Sequence, residues 1–380
     1  MTDFNMKREN VQNELNKKLN KIEQDGINKS NKVKSKAFDK LEKINRQENK
    51  AMMQNIIPIF FASDSNYLPY LSVSLLSLMK NANKNYTYNI YILHSNISEI
   101  EQKPILKLSD KTFNISFVNV SERLQEVNSK LQLRDYYTGA TYYRIFIANM
   151  FPSIDKALYL DSDTIVLKDI SRLYNYDLMD NYIGAVTDKV VSSHEVFQKY
   201  CNEVLGIAPN RYINAGILLM NLKKFREDNF YKKFCDLLVE YKFSVAQDQD
   251  YLNVLCKDKI RYLPYRWNTM PIGGESKTLP SLIHYNLTMK PWHYMDIPYA
   301  KHFWEYAKES SYSDLIRKTF GEHTNEKKEK DGQTEKGLIE LAIKEINRED
   351  NFIKARRQKR DFFESLFDVE NNGEIIGVKN

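Results

Sequence analysis

Ile56-Ile57-Pro58-Ile59-Phe60-Phe61-Ala62, followed by Ser63-Asp64-Ser65-Asn66, is a short apolar run that stops abruptly at four polar residues. A run of this length without polar alternation is what a strand buried on both faces requires, so the segment predicts a core strand with a polar loop at its carboxyl end. Working outward, Tyr70 to Lys80 has helical periodicity and Tyr88 to Leu93 reads as a strand. A helical stretch from about Ile97 to Leu108 then precedes another strand, Phe113 to Val120. Strands that alternate with helices form a mainly parallel sheet, which makes the fold class α/β. Ligands in such sheets gather beyond the carboxyl ends of the strands, so the polar residues after each apolar run are where chemistry is expected.

The flanks differ in texture. Residues 1–54 are rich in Lys, Asn, Glu and Gln, with apolar residues at Val11, Leu15, Leu19 and Ile22, then at Phe38, Leu41 and Ile44. That spacing predicts two amphipathic helices broken near Gly26. A solvated extension is the plainer reading, and a coiled-coil contact that makes a homo-oligomer is the sharper one. From about Gly321 the chain turns charged again, with Glu326 to Lys330 an unbroken charge run. A second helical pattern follows at Leu338, Ala342, Ile346 and Ile353. It carries Lys354, Arg356, Arg357, Lys359 and Arg360 before Phe362-Phe363 and Leu366-Phe367. A basic helix with aromatic neighbours can rest peripherally on anionic membrane lipid, although a solvated helix is the commoner outcome. The expected organisation is therefore an extension over 1–54, a catalytic body over 55–320 and a basic helical extension over 321–380.

Composition excludes several classes. The 56 basic and 50 acidic residues leave a net charge of +6, far short of the clustered basic face of a dedicated nucleic-acid binder. Cys201, Cys235 and Cys256 match neither a disulfide framework nor a zinc pattern, which suggests reduced thiols and a cytoplasmic protein. The chain has neither an apolar run of signal length at its start nor 18 consecutive apolar residues anywhere.

The strongest chemical signal is Ala157-Leu158-Tyr159-Leu160-Asp161-Ser162-Asp163-Thr164-Ile165-Val166, in which two carboxylates end an apolar strand. Where strand alternation breaks down, Asp161 and Asp163 can turn toward one site and offer hard oxygen ligands to Mn²⁺ or Mg²⁺. The triplet alone is weak, because Asp also forms local turns and the chain holds a second one, Asp248-Gln249-Asp250. Further weight comes from Ser281-Leu282-Ile283-His284-Tyr285, another apolar run that ends in a potential ligand, with Lys290-Pro291-Trp292 close behind. His284 can add an imidazole to the same ion and Lys290 a point charge for phosphate.

Taken in order, these segments resemble the family 8 glycosyltransferases, which include glycogenin and bacterial lipopolysaccharide galactosyltransferases and glucosyltransferases. The resemblance runs from about Ile56 to Trp304. It rests on Phe60 to Tyr67, Tyr142-Tyr143-Arg144, the Asp161 to Asp163 motif, Asn214 to Asn221, Gln247 to Asn253, and His284 to Trp292. It implies a GT-A nucleotide-diphospho-sugar transferase fold and a retaining, metal-dependent transfer of glucose or galactose. UDP-glucose or UDP-galactose would be the donor and a glycan, glycolipid or glycoprotein the carbohydrate-bearing acceptor, as in the synthesis of lipopolysaccharide or cell-surface polysaccharide. By the same resemblance, Ala62, Asp64 and Asn66 contact the nucleoside, and Asp161, Asp163 and His284 hold Mn²⁺. Lys290 holds the diphosphate, while Arg144, Asp188, Asn214 and Asp248 contact the transferred sugar. Gln249 lies beneath the anomeric carbon. One position departs from the pattern: the family often has Gly three residues after the metal histidine, and this chain has Leu287.

Two other classes fit parts of the sequence. A haloacid-dehalogenase-like phosphatase also ends a strand in Asp-x-Asp, but that motif belongs on the first strand of its domain and several strands precede Asp161 here. A non-catalytic interaction protein could present the terminal helices to partners, although the complete set Asp161, Asp163, His284 and Lys290 argues against a decayed site.

Overall fold

The computed structural model describes residues 2–22, 55–123, 125, 139–275 and 277–360. Nine strands are formed among them: β1 Ile56–Ala62, β2 Thr87–His94, β3 Phe113–Asn119, β4 Lys156–Asp161, β5 Thr164–Val166, β6 Ile183–Ala185, β7 Ile217–Asn221, β8 Ile260–Tyr262 and β9 Leu282–His284. Seven of them make one sheet in the order β3-β2-β1-β4-β7-β6-β8. The β2–β3, β1–β4 and β6–β8 pairs are parallel, as the alternating pattern predicted, whereas β7 runs antiparallel to both β4 and β6. Pro58 is tolerated in a central strand because pairing with β4 begins at Ile59, one residue past the imide that has no N–H to offer.

Local signals set the helices. Leu68–Asn81 starts with Pro69 in its first turn, where a missing N–H costs nothing. Glu99–Leu106 opens on a capping box, with Ser98 and Glu101 satisfying each other's backbone N–H groups. The main core lies where the sheet meets its helices, with Phe60, Tyr159, Leu218, Met220, Phe234 and Tyr251 among its buried residues.

Two registers position the site. In the β1–β4 ladder Ala62 lies opposite Asp161, so the loop after β1 and the Asp161 to Asp163 motif leave the sheet at the same edge. The separate β5–β9 ribbon pairs Thr164 with His284, which carries the histidine back to the carboxylates across more than a hundred residues of chain.

The C-terminal segment closes onto the same body. In the helix Asn325–Asn347 the periodic residues Ala342 and Ile346 join the main core, as does Phe352, whose ring meets Tyr241 and Phe243 at 5.5 and 5.2 Å between centroids. Buried Glu345 accepts from the Tyr241 hydroxyl at 2.5 Å and pairs with Arg348 at 3.1 Å. Part of the basic stripe is spent internally, with Arg356 and Lys359 both pairing with Glu240. The N-terminal helix Thr2–Ile22 is a separate unit, on which Val11 and Leu15 are the half-exposed positions. The second N-terminal helix expected around Phe38, Leu41 and Ile44, and the apolar residues Phe362, Phe363, Leu366 and Phe367, lie outside the described residues. No described helix is long and apolar enough to cross a membrane.

Candidate active site

At the shared strand edge, one oxygen or nitrogen from each of Asp161, Asp163 and His284 falls within 4.8 Å of the others. His284 Nε2 lies 3.6 Å from Asp161 Oδ2 and 3.3 Å from Asp163 Oδ1. Its other nitrogen, Nδ1, is 3.2 Å from Asn268 Oδ1, while the Asn268 amide group donates to Asn214 Oδ1 at 2.9 Å. Because the Asn268 amide is committed to Asn214, its oxygen faces the ring and assigns the proton to Nδ1, leaving a lone pair on Nε2 that points at the carboxylates. Asp163 Oδ1 is buried and lacks a hydrogen-bond partner, so a bare nitrogen and a bare carboxylate oxygen face each other. That juxtaposition is repulsive unless a cation or proton stands between them, and a hard cation fits two carboxylates and an imidazole. Gly216 makes the space: a Cβ there would come within 2.2 Å of His284 Cε1 and 2.7 Å of Asp161 Oδ2.

The remaining Asp161 oxygen is held from the sheet side. Asp161 Oδ1 accepts from Arg144 Nη2 at 3.0 Å and from the Tyr159 hydroxyl at 2.9 Å, with the Arg144 guanidinium stacked 4.3 Å from the Tyr159 ring. Arg144 also donates to the carbonyls of Thr141 and Ala215, so this buried cation has several fixed partners. Burial opposes its charge, but Asp161 and Asp248 outweigh that and keep it protonated.

The second Asp-x-Asp splits between two tasks, because residues two apart at a helix start point in different directions. Asp250 turns into the core, where it accepts from Tyr212 at 2.6 Å, Tyr200 at 2.8 Å and the Ala246 backbone at 3.0 Å. Asp248 lines the cleft, and burial pushes its carboxyl up to about 7 although Arg144 opposes the shift. Arg144 Nε approaches Asp248 Oδ2 to 3.1 Å, yet that oxygen has no aligned hydrogen bond. Gln249 is pinned at both ends, accepting from the Ala215 N–H at 2.9 Å and donating to Asp188 Oδ2 at 3.2 Å. Asp188 in turn caps the helix Lys189–Ser193 and accepts from Asn214 at 3.0 Å.

Two contiguous cavities share Thr141, Arg144, Asp161 and Asp163. The larger, of about 350 Å³, is lined by Asp188, Asn214, Gln249 and His284, and carries an apolar side that includes Val191, Phe197, Leu287 and Leu338. The smaller, of about 220 Å³, is bounded by Ala62, Ser63, Asp64 and Tyr67. Of the candidates named from sequence, Asn66 is exposed and does not line either cavity. Lys290 is near but turned inward: its ammonium donates to Asp163 Oδ2 and, at 2.6 Å, to the Tyr285 carbonyl. Burial penalises both charges, but their pairing dominates, holding Asp163 well below the usual carboxylate range and Lys290 above the usual amine range. Leu287 adopts φ +52°, so the backbone keeps the left-handed conformation that glycine would favour even though this chain has a leucine. Sequence reasoning missed Asn268, which belongs to no spaced motif, and gave no role to Tyr159 within the run before Asp161; both orient the candidate ligands.

Residues 58–296 match the pattern described as glycosyl transferase family 8. The chain belongs to that family. A Haemophilus influenzae protein named as a glycosyltransferase is 34% identical over 217 residues, or 56% of this chain. The match spans 63% of that relative, less than two thirds of its length. The lipopolysaccharide 1,2-glucosyltransferase of Escherichia coli K12 is 27% identical, with 67% of this chain matching 78% of that protein. Among solved structures, LgtC, described as a galactosyltransferase in complex with donor and acceptor sugar analogs, is 28% identical. A crystal structure of an LgtC active-site mutant superposes with a TM-score of 0.57 over 67% of this chain and 96% of that one. The bifunctional glycosyltransferase WbbM has the same fold at TM-score 0.61 and 24% identity, with this chain spanning 52% of it. The protein is thus a family 8 glycosyltransferase with a GT-A fold, and the phosphatase alternative falls away.

Proposed function

We propose that this family 8 enzyme transfers a hexose, glucose or galactose, from its UDP conjugate to a carbohydrate-bearing acceptor with retention of anomeric configuration. The observation that carries the reading is the facing pair of His284 Nε2 and the orphaned Asp163 Oδ1, beside Asp161, at the junction of the two cavities. Asp161, Asp163 and His284 would hold Mn²⁺ or Mg²⁺. When bound, that ion supplies Lewis-acid neutralisation of the charge that grows on the diphosphate as the glycosidic bond breaks.

The chain's own groups do the rest. Ala62 and Asp64 would receive the nucleoside in the smaller cavity, with Asn66 at its exposed rim. Lys290, released from Asp163, would offer its ammonium to the diphosphate. Asp188, Asn214, Arg144 and Asp248 would orient the sugar in the larger cavity. The Gln249 amide is a weak nucleophile, and its oxygen is already engaged by the Ala215 N–H. That favours attack by the acceptor hydroxyl on the face the diphosphate leaves, with a UDP oxygen taking its proton, over a covalent intermediate. The enzyme's contribution is then orientation and fixed electrostatics. The three free cysteines fit a reducing, cytoplasmic setting.

Incubation with a panel of UDP sugars, GDP-mannose and a CMP sugar tests the donor assignment. UDP released from UDP-glucose or UDP-galactose above the other donors is expected. Turnover confined to a GDP or CMP sugar would reject it.

A further inference from the structure

His293, His323 and Asp331 bring metal-ligating atoms within 4.8 Å of one another away from the cleft. The last two lie beyond residue 296, outside the stretch that matches the family. The three residues come from different places in the fold. His293 follows the Lys290-Pro291-Trp292 loop, His323 comes just after the helix Ser313–Gly321, and Asp331 is on the helix Asn325–Asn347. The His323 side chain is only 3% exposed, and its Nε2 stands 3.4 Å from Asp331 Oδ2 without an aligned hydrogen bond. Nδ1 of His293 is likewise buried and unpartnered. Buried imidazole nitrogens are ordinarily satisfied, and two unsatisfied ones beside a carboxylate call for a ligand. The Tyr294 hydroxyl fixes Asp331 by donating to it at 2.8 Å.

We propose that His293, His323 and Asp331 bind a divalent transition-metal ion, preferentially zinc, which staples the C-terminal helices to the loop carrying Lys290. Two imidazoles and one carboxylate suit zinc, with water completing a tetrahedral set. The two rings lie face to face, with centroids 4.1 Å apart and planes within 4°. Binding therefore requires one ring to turn about its Cβ–Cγ bond until the lone pairs converge, and neither unpartnered nitrogen gives up a hydrogen bond in doing so. The ion would secure a junction already made by Thr288 donating to Glu335, one turn before Leu338 enters the larger cavity. The cleft's own ligand set has two carboxylates and one imidazole and is harder, so the two sites differ in metal preference.

The test measures zinc retained by the full-length chain after equilibration with ZnCl₂ in excess MnCl₂ and desalting. Wild type is compared with His293→Gln and His323→Gln, each verified as folded by circular dichroism. Wild type should retain about one more equivalent of zinc than either variant, whose affinity should be weaker by about tenfold or more. Zinc should raise the melting temperature of wild type by more than that of either variant. Cobalt substitution should give the intense visible bands of a tetrahedral site in wild type alone. Zinc bound in the cleft persists in the variants and cancels from the comparison. Equal retention in wild type and both variants, or no retention by wild type, overturns the proposal. Sugar transfer is not read in any arm, so these outcomes do not depend on the donor assignment.

Discussion

Asn268 Oδ1 lies 3.2 Å from His284 Nδ1, while the same side chain donates to Asn214, so one buried amide sets the tautomer of the histidine and braces the Asn214 side of the cleft. Outer partners of this kind usually contribute tenfold or more to metal affinity. Asn268→Ala should therefore weaken Mn²⁺ binding by about 10–100-fold. Titration of Mn²⁺ followed by electron paramagnetic resonance checks this, and unchanged affinity in a folded variant would mean that Asn268 does not orient the ligand.

Gly216 is predicted to accept no side chain. Gly216→Ala places a Cβ against His284 and an Asp161 oxygen, both firmly held, so the site must distort. Loss of Mn²⁺ binding with a near-native far-ultraviolet spectrum is the expected result. Mn²⁺ affinity equal to wild type would contradict the close approach.

The Lys290 ammonium donates to Asp163 Oδ2. On the proposed function, metal and lysine would compete for one carboxylate, and metal binding would free the lysine for the diphosphate. Mn²⁺ should tighten UDP binding in wild type, and UDP should tighten Mn²⁺ by the same factor, because coupling is reciprocal. In Lys290→Met, Mn²⁺ alone should bind at least as well as in wild type while UDP affinity falls by about tenfold or more. Calorimetric titrations in both orders measure the coupling, and its persistence at full strength in Lys290→Met would exclude the exchange.

Asp248 gives a pH dependence with a definite sign. Its folded-state pKa of about 7 is above the unfolded value of about 3.9, so the folded protein holds a proton that the unfolded chain has lost across that interval. Stability should therefore fall as pH rises from about 4 to about 7, by on the order of 4 kcal/mol from this group. Asp248→Asn should flatten that slope and raise the melting temperature at pH 8, at the expense of sugar transfer. Melting curves from pH 5 to 8 for both proteins decide it, and parallel curves would place the shift elsewhere.

Leu287 is held at φ +52° and is 47% exposed, so it carries backbone strain while burying little. Leu287→Gly should stabilise the protein by about 0.5–1 kcal/mol, the strain relieved less the entropy that glycine adds to the unfolded chain. Urea denaturation reads this, and a loss of stability would show that the leucine's contacts in the cleft outweigh the strain.

Residues whose placement follows from chain pattern were legible in advance. The apolar runs of β1, β2 and β3 announce buried strands, and Asp161, Asp163 and His284 each end such a run, so strand registry alone brings them together. Asn268 was not legible, because its importance arises from being buried between His284 and Asn214 and not from any spacing. The antiparallel run of β7 was hidden for a similar reason: a strand buried on both faces reads the same in either direction. The charged composition after Gly321 pointed to a separate extension, yet the stripe of Ala342 and Ile346 was enough to join the helix to the main core. Lys290 shows the limit for long side chains, since the sequence places its backbone near the site and the ammonium then selects the strongest local charge, Asp163.

The most direct test of metal-dependent transfer is UDP release from the preferred UDP sugar, with Mn²⁺ or with EDTA, by wild type and by Asp163→Ala. Release that requires Mn²⁺, stops in EDTA and is lost in the variant is predicted. Undiminished release in EDTA, or by a folded Asp163→Ala, would contradict a metal-dependent site built on Asp161, Asp163 and His284.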